Sequence, residues 1–345
     1  MPTMKDVAEL AGVSTTTVSH VINGTRYVSP ELTEKVERAM EELDYEPNQL
    51  ARSLKTQQTE TIGLIVSDIS NPFFSSLVRG VEDVSIENEH SLIVCNTDEN
   101  LDKEELYVET LMRKKIDGLV IAPTGKEDQN LNKLSQNEVP IVFVDRKVEG
   151  IEADAVLSKN YEGAYELTET LIERGHSRIG IVLGRERVLT SKERFAGYRK
   201  ALEDNGLEIS RELIARGDFM VSGGMEATEE LLDQPDPPTA VVAVNNQTLV
   251  GVVRALQEKG MSLYEDVDLA SFDHLDWIDL FDVPVITAAQ RPYEIGQQAA
   301  RMLFKRVEKS KERAKKKRRG EPLSEEELRD EPVELRMEVD VNDCV

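Results

Sequence analysis

A chain of 345 residues with 39% hydrophobic and 31% charged residues has room for a small domain plus one large or two medium ones. Its net charge of −24 argues against loose adhesion to polyanions. With no 18-residue apolar run and no apolar leader, neither a membrane span nor a secretory signal is expected, which points to the cytoplasm. Cys95 sits inside the apolar run SLIVC and Cys344 is next to last, so neither suggests a disulfide framework or a metal site.

In chain order, residues 1–47 read as a small all-α domain. Thr3 with Asp6 three residues on forms a capping arrangement, and Val7, Leu10 and Ala11 follow helical spacing. Gly12 supplies a left-handed turn and Ser14 caps a second helix over 15–22, which Asn23-Gly24 ends. Ser29-Pro30 opens a third. On the second helix Val18, Val21 and Ile22 form the apolar stripe. The opposite face carries Thr15, Thr16, Ser19, His20 and Asn23, all short or planar, polar and uncharged at neutral pH. Such side chains suit close approach to base edges in a major groove, where a merely solvated helix would carry Lys and Glu. The acidity of residues 1–59 does not oppose this: seven of their nine acids fall at 31–46.

Residues 48–60 form a hinge and linker. Asn48 can cap a helix over 49–55 that is too short to persist alone in water. Ala51 and Leu54 share one side of it, flanked by Arg52 and Lys55. That composition fits a helix that orders in a minor groove, with Leu54 as a wedge and the cations on phosphates.

From Thr61 the chain alternates apolar runs with amphipathic helices, the pattern of βαβ units. Strand candidates include 61–67, 91–95, 118–122, 140–144, 178–184, 240–244, 268–272 and 284–288. So long an alternation exceeds one comfortable sheet, so two doubly wound lobes with a ligand cleft at the strand ends are expected. The candidates for ligand contact are Phe73 and Phe74, Asp145, Arg146, Arg194, Phe219, Asn245, Asp273 and Gln290. Strand-terminal Asp, Asn and Arg offer directional hydrogen bonds of the kind hydroxyl-rich ligands need. The segment 305–332, a basic block and then an acidic one, reads as a solvated, partly disordered loop, with an extra nucleic-acid contact as the other reading. HExxH, GxSxG, CxxC, GxxxxGK[ST] and GxGxxG after a strand are all missing, so neither an enzyme nor a cofactor is expected.

MKDVAELAGVSTTTVSHVINGTRYVS resembles the DNA-binding head of the lactose and galactose repressor family, most closely its purine and ribose repressor branches, and the likeness continues to about residue 304. The resemblance implies a helix-turn-helix domain joined to a two-lobed, periplasmic-binding-protein-like α/β core, acting as a homodimer on palindromic operator DNA. Its divisions would be 1–47, 48–60, a first lobe of 61–161 with 290–322, and a second of 162–289 with 323–345. It implies that Thr15, Thr16 and His20 read bases, that Asn23 and Arg26 support readout or phosphate contact, and that Thr3 and Ser14 anchor the DNA backbone. The hinge role of LARSLK, and effector roles for Phe73, Phe74, Asp145, Arg194, Phe219, Asn245, Asp273 and Gln290, follow in the same way. Val188 stands where the purine branch has an additional ligand arginine, which disfavours a purine. Arg146 beside Asp145 would suit an anion, so the expected effector is a sugar, sugar acid or sugar phosphate. The alternatives are a global catabolite regulator answering to a phosphorylated carrier protein, a transport-type solute receptor, and a cleft enzyme.

Overall fold

The computed structural model describes residues 2–23, 26–45, 59–125, 129–137, 139–263, 265–275, 278, 285–324 and 331–343. They fall into two compact units, 1–59 and 60–345.

Among the described residues the first unit holds three helices, α1 (Met4–Ala11), α2 (Thr15–Asn23) and α3 (Pro30–Glu42). Thr3 and Asp6 close a reciprocal capping box on α1, and Gly12, at φ 65°, ends it in a left-handed turn. Ser14 Oγ accepts from the Thr17 amide at 3.1 Å and so caps α2. Ser29 occupies the cap position of α3 but makes no capping side-chain bond; Pro30 alone presets that start. Val7, Ala8, Val18, Val36 and Ala39 form the core, with Val21 and Ile22 against it.

The second unit contains two six-stranded sheets. In chain order its elements are β1 (Thr61–Val66), α4 (Pro72–Glu87), β2 (Ser91–Asn96), α5 (Leu101–Arg113), β3 (Gly118–Ile121), α6 (Gln129–Gln136), β4 (Ile141–Val144) and β5 (Asp154–Ser158). Then come α7 (Asn160–Glu173), β6 (Ile179–Leu183), α8 (Leu189–Asp204), β7 (Ile214–Arg216), α9 (Val221–Leu232), β8 (Ala240–Ala243), α10 (Asn246–Glu258) and β9 (Asp268–Phe272). The last are β10 (Val285–Ala289), α11 (Pro292–Arg319), β11 (Glu334–Met337) and β12 (Asp340–Asp343). The sheets order as β11-β5-β4-β3-β1-β2 and β12-β10-β9-β8-β6-β7. Every pairing is parallel except β10 with β12. Central strands such as β3, β4 and β8 are buried on both faces, as parallel sheets covered by helices require. Apolar cores on either side of each sheet account for this.

Two expectations change here. The stretch 323–345 does not belong to the second lobe as a block: Glu334–Met337 pairs with β5 in the first sheet, and only β12 joins the second. The basic half of the 305–332 segment is no loop. It continues α11 to Arg319, where Gly320, at φ 69°, caps it. Lys, Arg, Glu and Ala are all good helix formers, and the cations in its last turn complement the helix dipole. Leu77, Val81 and Val84 on α4 are turned inward into the first lobe's core.

Candidate effector cleft and reading head

The parallel sheets place many candidate side chains in one cleft. Its lining includes Ser67, Asp68, Phe73, Phe74, Glu99, Asp145, Arg146, Thr190, Arg194, Phe219, Asn245, Asp273 and Gln290, enclosing about 490 Å³ with its mouth. All nine candidate effector residues are among them.

Asp145, Phe219 and Asp273 each follow a strand or loop with φ of 64°, 73° and 66°. Asp tolerates the left-handed region, but for Phe it is a genuine strain, of the kind that persists where surroundings over-determine it. Phe219 is held because its ring lies over Gly184, where an added Cβ would come within 2.1 Å of it. Phe73 and Phe74 meet edge to face at 5.0 Å on the opposite wall. Asn71 caps the helix that carries them.

On the second-lobe wall Arg194 is 3% exposed. Its guanidinium lies over the Phe272 ring at 3.8 Å, donates from Nε to Asn160 Oδ1 at 2.9 Å, and donates from an Nη to the Val244 carbonyl at 2.5 Å. Among the described residues it makes no further hydrogen bond, so donors remain for a ligand. Asp273 accepts from Gln290 Nε2 at 2.5 Å. Gln290 Oε1 in turn accepts from Ser158. Burial pushes the Asp145 and Asp273 carboxyls above the ordinary range, against the pull of Arg194, and for Asp145 also of Arg146. Asn245 Oδ1 caps α10 through the Thr248 amide at 2.9 Å, and its Nδ2 donates to the Phe219 carbonyl at 3.1 Å. Asn245 therefore holds the aromatic loop in place.

Arg146 behaves differently. It is 2% exposed and donates to Glu99 and Ser67, with its Nε 3.4 Å from Asp145 Oδ2. Glu99 lies 47 residues upstream, and no spacing rule links it to Arg146 in the sequence. The arginine's charge is thus met within the protein. Contacts that bridge the lobes include Asn246 Nδ2 to Asn71 Oδ1 at 2.8 Å, Arg185 Nη1 to the Glu99 carbonyl at 2.7 Å and Arg336 Nη1 to Glu193 Oε1 at 2.9 Å. Val188 is fully buried, so an apolar side chain fills that position.

In the first unit Thr15, Thr16 and Arg26 are exposed, and Ser19 and His20 half-buried. Thr3 and Ser14 spend their hydroxyls on caps. The hinge candidates Ala51, Arg52, Leu54 and Lys55 lie outside the described residues. Among those described, no helix is long and apolar enough to cross a membrane.

A three-helix head with a polar second helix, followed by two wound sheets around a polar cleft, is the architecture of an effector-responsive transcription regulator. Residues 3–48 match the bacterial regulatory proteins of the lacI family, and 59–322 match the periplasmic binding proteins and sugar binding domain of that family. The chain belongs to the lacI family and is a transcriptional repressor of that type. It is 37% identical over 308 residues to the HTH-type transcriptional repressor PurR of Aliivibrio salmonicida, covering 89% of this chain and 92% of that one. The lac repressor dimer bound to operator superposes with a TM-score of 0.79 at 25% identity, over 99% of this chain and 97% of that one. A LacI-family regulator from Enterococcus faecium with bound ribose gives 0.69 at 29% identity, over 82% and 97%.

Proposed function

We propose that this repressor binds a palindromic operator as a homodimer and is controlled by a neutral, hydroxyl-rich sugar held between its lobes. The observation that carries the sugar class is the pairing of Arg146 with Glu99 and Ser67. Four acids line the cleft, Asp68, Glu99, Asp145 and Asp273, against Arg146 and Arg194. A phosphate or carboxylate would enter a site already richer in acid, whereas hydroxyls can donate to Asp145 and Asp273 and accept from Arg194. The aromatic rings of Phe74 and Phe219 supply apolar faces for sugar C–H groups. Buried Val188 supports reading the chain apart from a purine-responsive regulator, although its curated relatives carry that name.

At the head, Thr15, Thr16 and His20 read bases, with Asn23 and Arg26 in support and Thr3 and Ser14 near the backbone. Ala51, Arg52, Leu54 and Lys55 contact the minor groove in this reading, with Leu54 as the wedge and the cations on phosphates. Calorimetry on the full-length protein tests the effector class, using ribose, glucose and fructose, their phosphates and acids, and hypoxanthine. Binding by a neutral sugar alone is expected; binding only by a phosphorylated sugar or by the purine would sink the reading. Leu54→Ala, on an operator obtained by selection from random duplex, should weaken binding by about 2 kcal/mol and leave sugar affinity intact.

A further inference from the structure

The cationic end of α11 lies outside everything the effector cleft and the reading head use. Residues 305–319 carry ten Lys/Arg against two Glu, in a chain whose net charge is −24. In a protein so acidic overall, a block this basic is a local field of opposite sign. Its place in the fold is well defined within the second unit. Leu303 packs where a Cβ on Gly118, the first residue of β3, would stand, and Phe304 meets the His90 ring at 4.9 Å. Arg306 grips Asp154, the first residue of β5, through two bonds of 2.6 and 2.8 Å. Ser310 and Arg313 still line a hollow with Pro140 and Asp154. Beyond Arg313 the helix runs on, and at 1.5 Å per residue Arg319 lies about 9 Å further along its axis. Lys315, Lys317, Arg318 and Arg319 are exposed.

The rim that α11 passes is the one where the chain arrives from the DNA-reading segment. Glu60, first residue of the unit, donates its amide to Asp117 Oδ2 at 2.9 Å. Asp117 in turn faces His90 at 3.5 Å, and Lys311 is near enough to oppose protonation of that His. Through His90 and Asp117, Lys311 is thus linked to the neighbourhood of Glu60, the first residue of the unit.

We propose that the end of α11, Lys315 to Arg319, is a second DNA-binding surface that engages duplex phosphates outside the bases read by the head. This rests on the DNA-binding reading above and adds a sequence-independent contact to it. The cations do have protein partners, such as Glu321 at 3.9 Å from Arg319. Exposed pairs of this kind contribute little and exchange readily for a phosphate row.

The test compares the full-length wild type with a variant carrying Lys315→Gln, Lys316→Gln, Lys317→Gln, Arg318→Gln and Arg319→Gln. Anisotropy between 50 and 200 mM salt would follow a mixed-sequence 40-bp duplex without palindrome, a 40-nucleotide single-stranded RNA, and a selected palindrome trimmed to its footprint. Each phosphate contact contributes about 0.9 to the log–log salt slope. The variant should lose about two units of slope or more and at least tenfold in affinity on the mixed duplex at 50 mM, with its melting temperature unchanged. Lys315→Arg, Lys316→Arg and Lys317→Arg together should keep the wild-type slope. Equal slopes for wild type and the Gln variant would overturn the proposal, as would RNA bound more tightly than duplex through these residues. Failure of the wild type to select any palindrome would instead count against the operator reading, which the mixed-duplex measurement does not use.

Discussion

The two walls of the cleft present an arginine each, and the two arginines do opposite things. On the first-lobe wall Arg146 is ion-paired with Glu99 and donates to Ser67. On the second-lobe wall Arg194 is oriented by Asn160, the Val244 carbonyl and the Phe272 ring, yet keeps donors for a guest. One wall is closed electrostatically and the other is open. Burial and residue type are the same in both, and what separates them is that a carboxylate of the protein already pairs with the charge of Arg146, whereas Arg194 has hydrogen-bond partners that are uncharged.

The largest effect should come from breaking the closed wall. Glu99→Gln removes the hydrogen-bonded counter-charge of buried Arg146, leaving only Asp145 at 3.4 Å from its Nε, and is expected to lower stability by about 3 kcal/mol in denaturant titration. A loss under 1 kcal/mol would mean that Arg146 is not held this way. Arg194→Ala should reduce sugar affinity by roughly 100-fold, about 2.7 kcal/mol, while operator binding without sugar stays as it was. If calorimetry shows near-normal sugar binding, the open wall has been misread. Asp273→Asn keeps a residue that tolerates φ of 66° but weakens a charged hydrogen bond, so a loss of about 1.5 kcal/mol in sugar affinity with little change in melting is expected. Asp273→Ala should add backbone strain of about 1 kcal/mol to that, visible as a lower melting temperature than that of Asp273→Asn.

The pH dependence sharpens the same contrast. Burial raises the Asp145 and Asp273 carboxyls above their unfolded values. Relative to the unfolded chain these groups favour folding fully when protonated, below the ordinary carboxylate range. That contribution is lost as pH rises through their raised folded values. Sugar hydroxyls need the ionised acceptors, so sugar affinity should fall over the interval where these two groups gain their protons. Comparing Asp273→Asn with wild type from pH 7 down to 4 isolates the effect; identical profiles would show that Asp273 does not titrate there. The smallest change is Tyr198→Phe, which removes a 2.7 Å bond to the Ile179 carbonyl behind the open wall and should cost about 1 kcal/mol of stability.

Much of this was legible in the residues. The alternation of apolar runs marks β1, β3, β4, β6 and β8–β10 to within a residue or two at their ends, because strands buried on both faces carry a strong, local signal, and the half-buried edge strand β2 shows in the same way through its run SLIVC. The segment DAVLS escaped, since acids and a lysine flank it and its burial comes from neighbouring strands; Asp154 is matched by Arg306, 152 residues away. β7, β11 and β12 are three or four residues long and two of them are polar sheet edges, too brief to show a period. The basic run read as a loop because charge density was weighed above helix propensity. In the cleft, the rule that ligands meet parallel strands at their carboxyl ends gathered side chains that the structure places around one hollow. What it could not show was the left-handed backbone of Asp145, Phe219 and Asp273, or that Glu99 would claim Arg146. Those depend on how distant segments meet.

The three left-handed positions carry a lesson for anyone who would retune this sensor to report another compound. At each, only Gly, Asn and Asp are inexpensive, so a library randomised there would be mostly unfolded clones. Diversity is better placed at Thr190 and Gln247, which face the same cleft from ordinary helical backbone and leave the frame of the receptor alone.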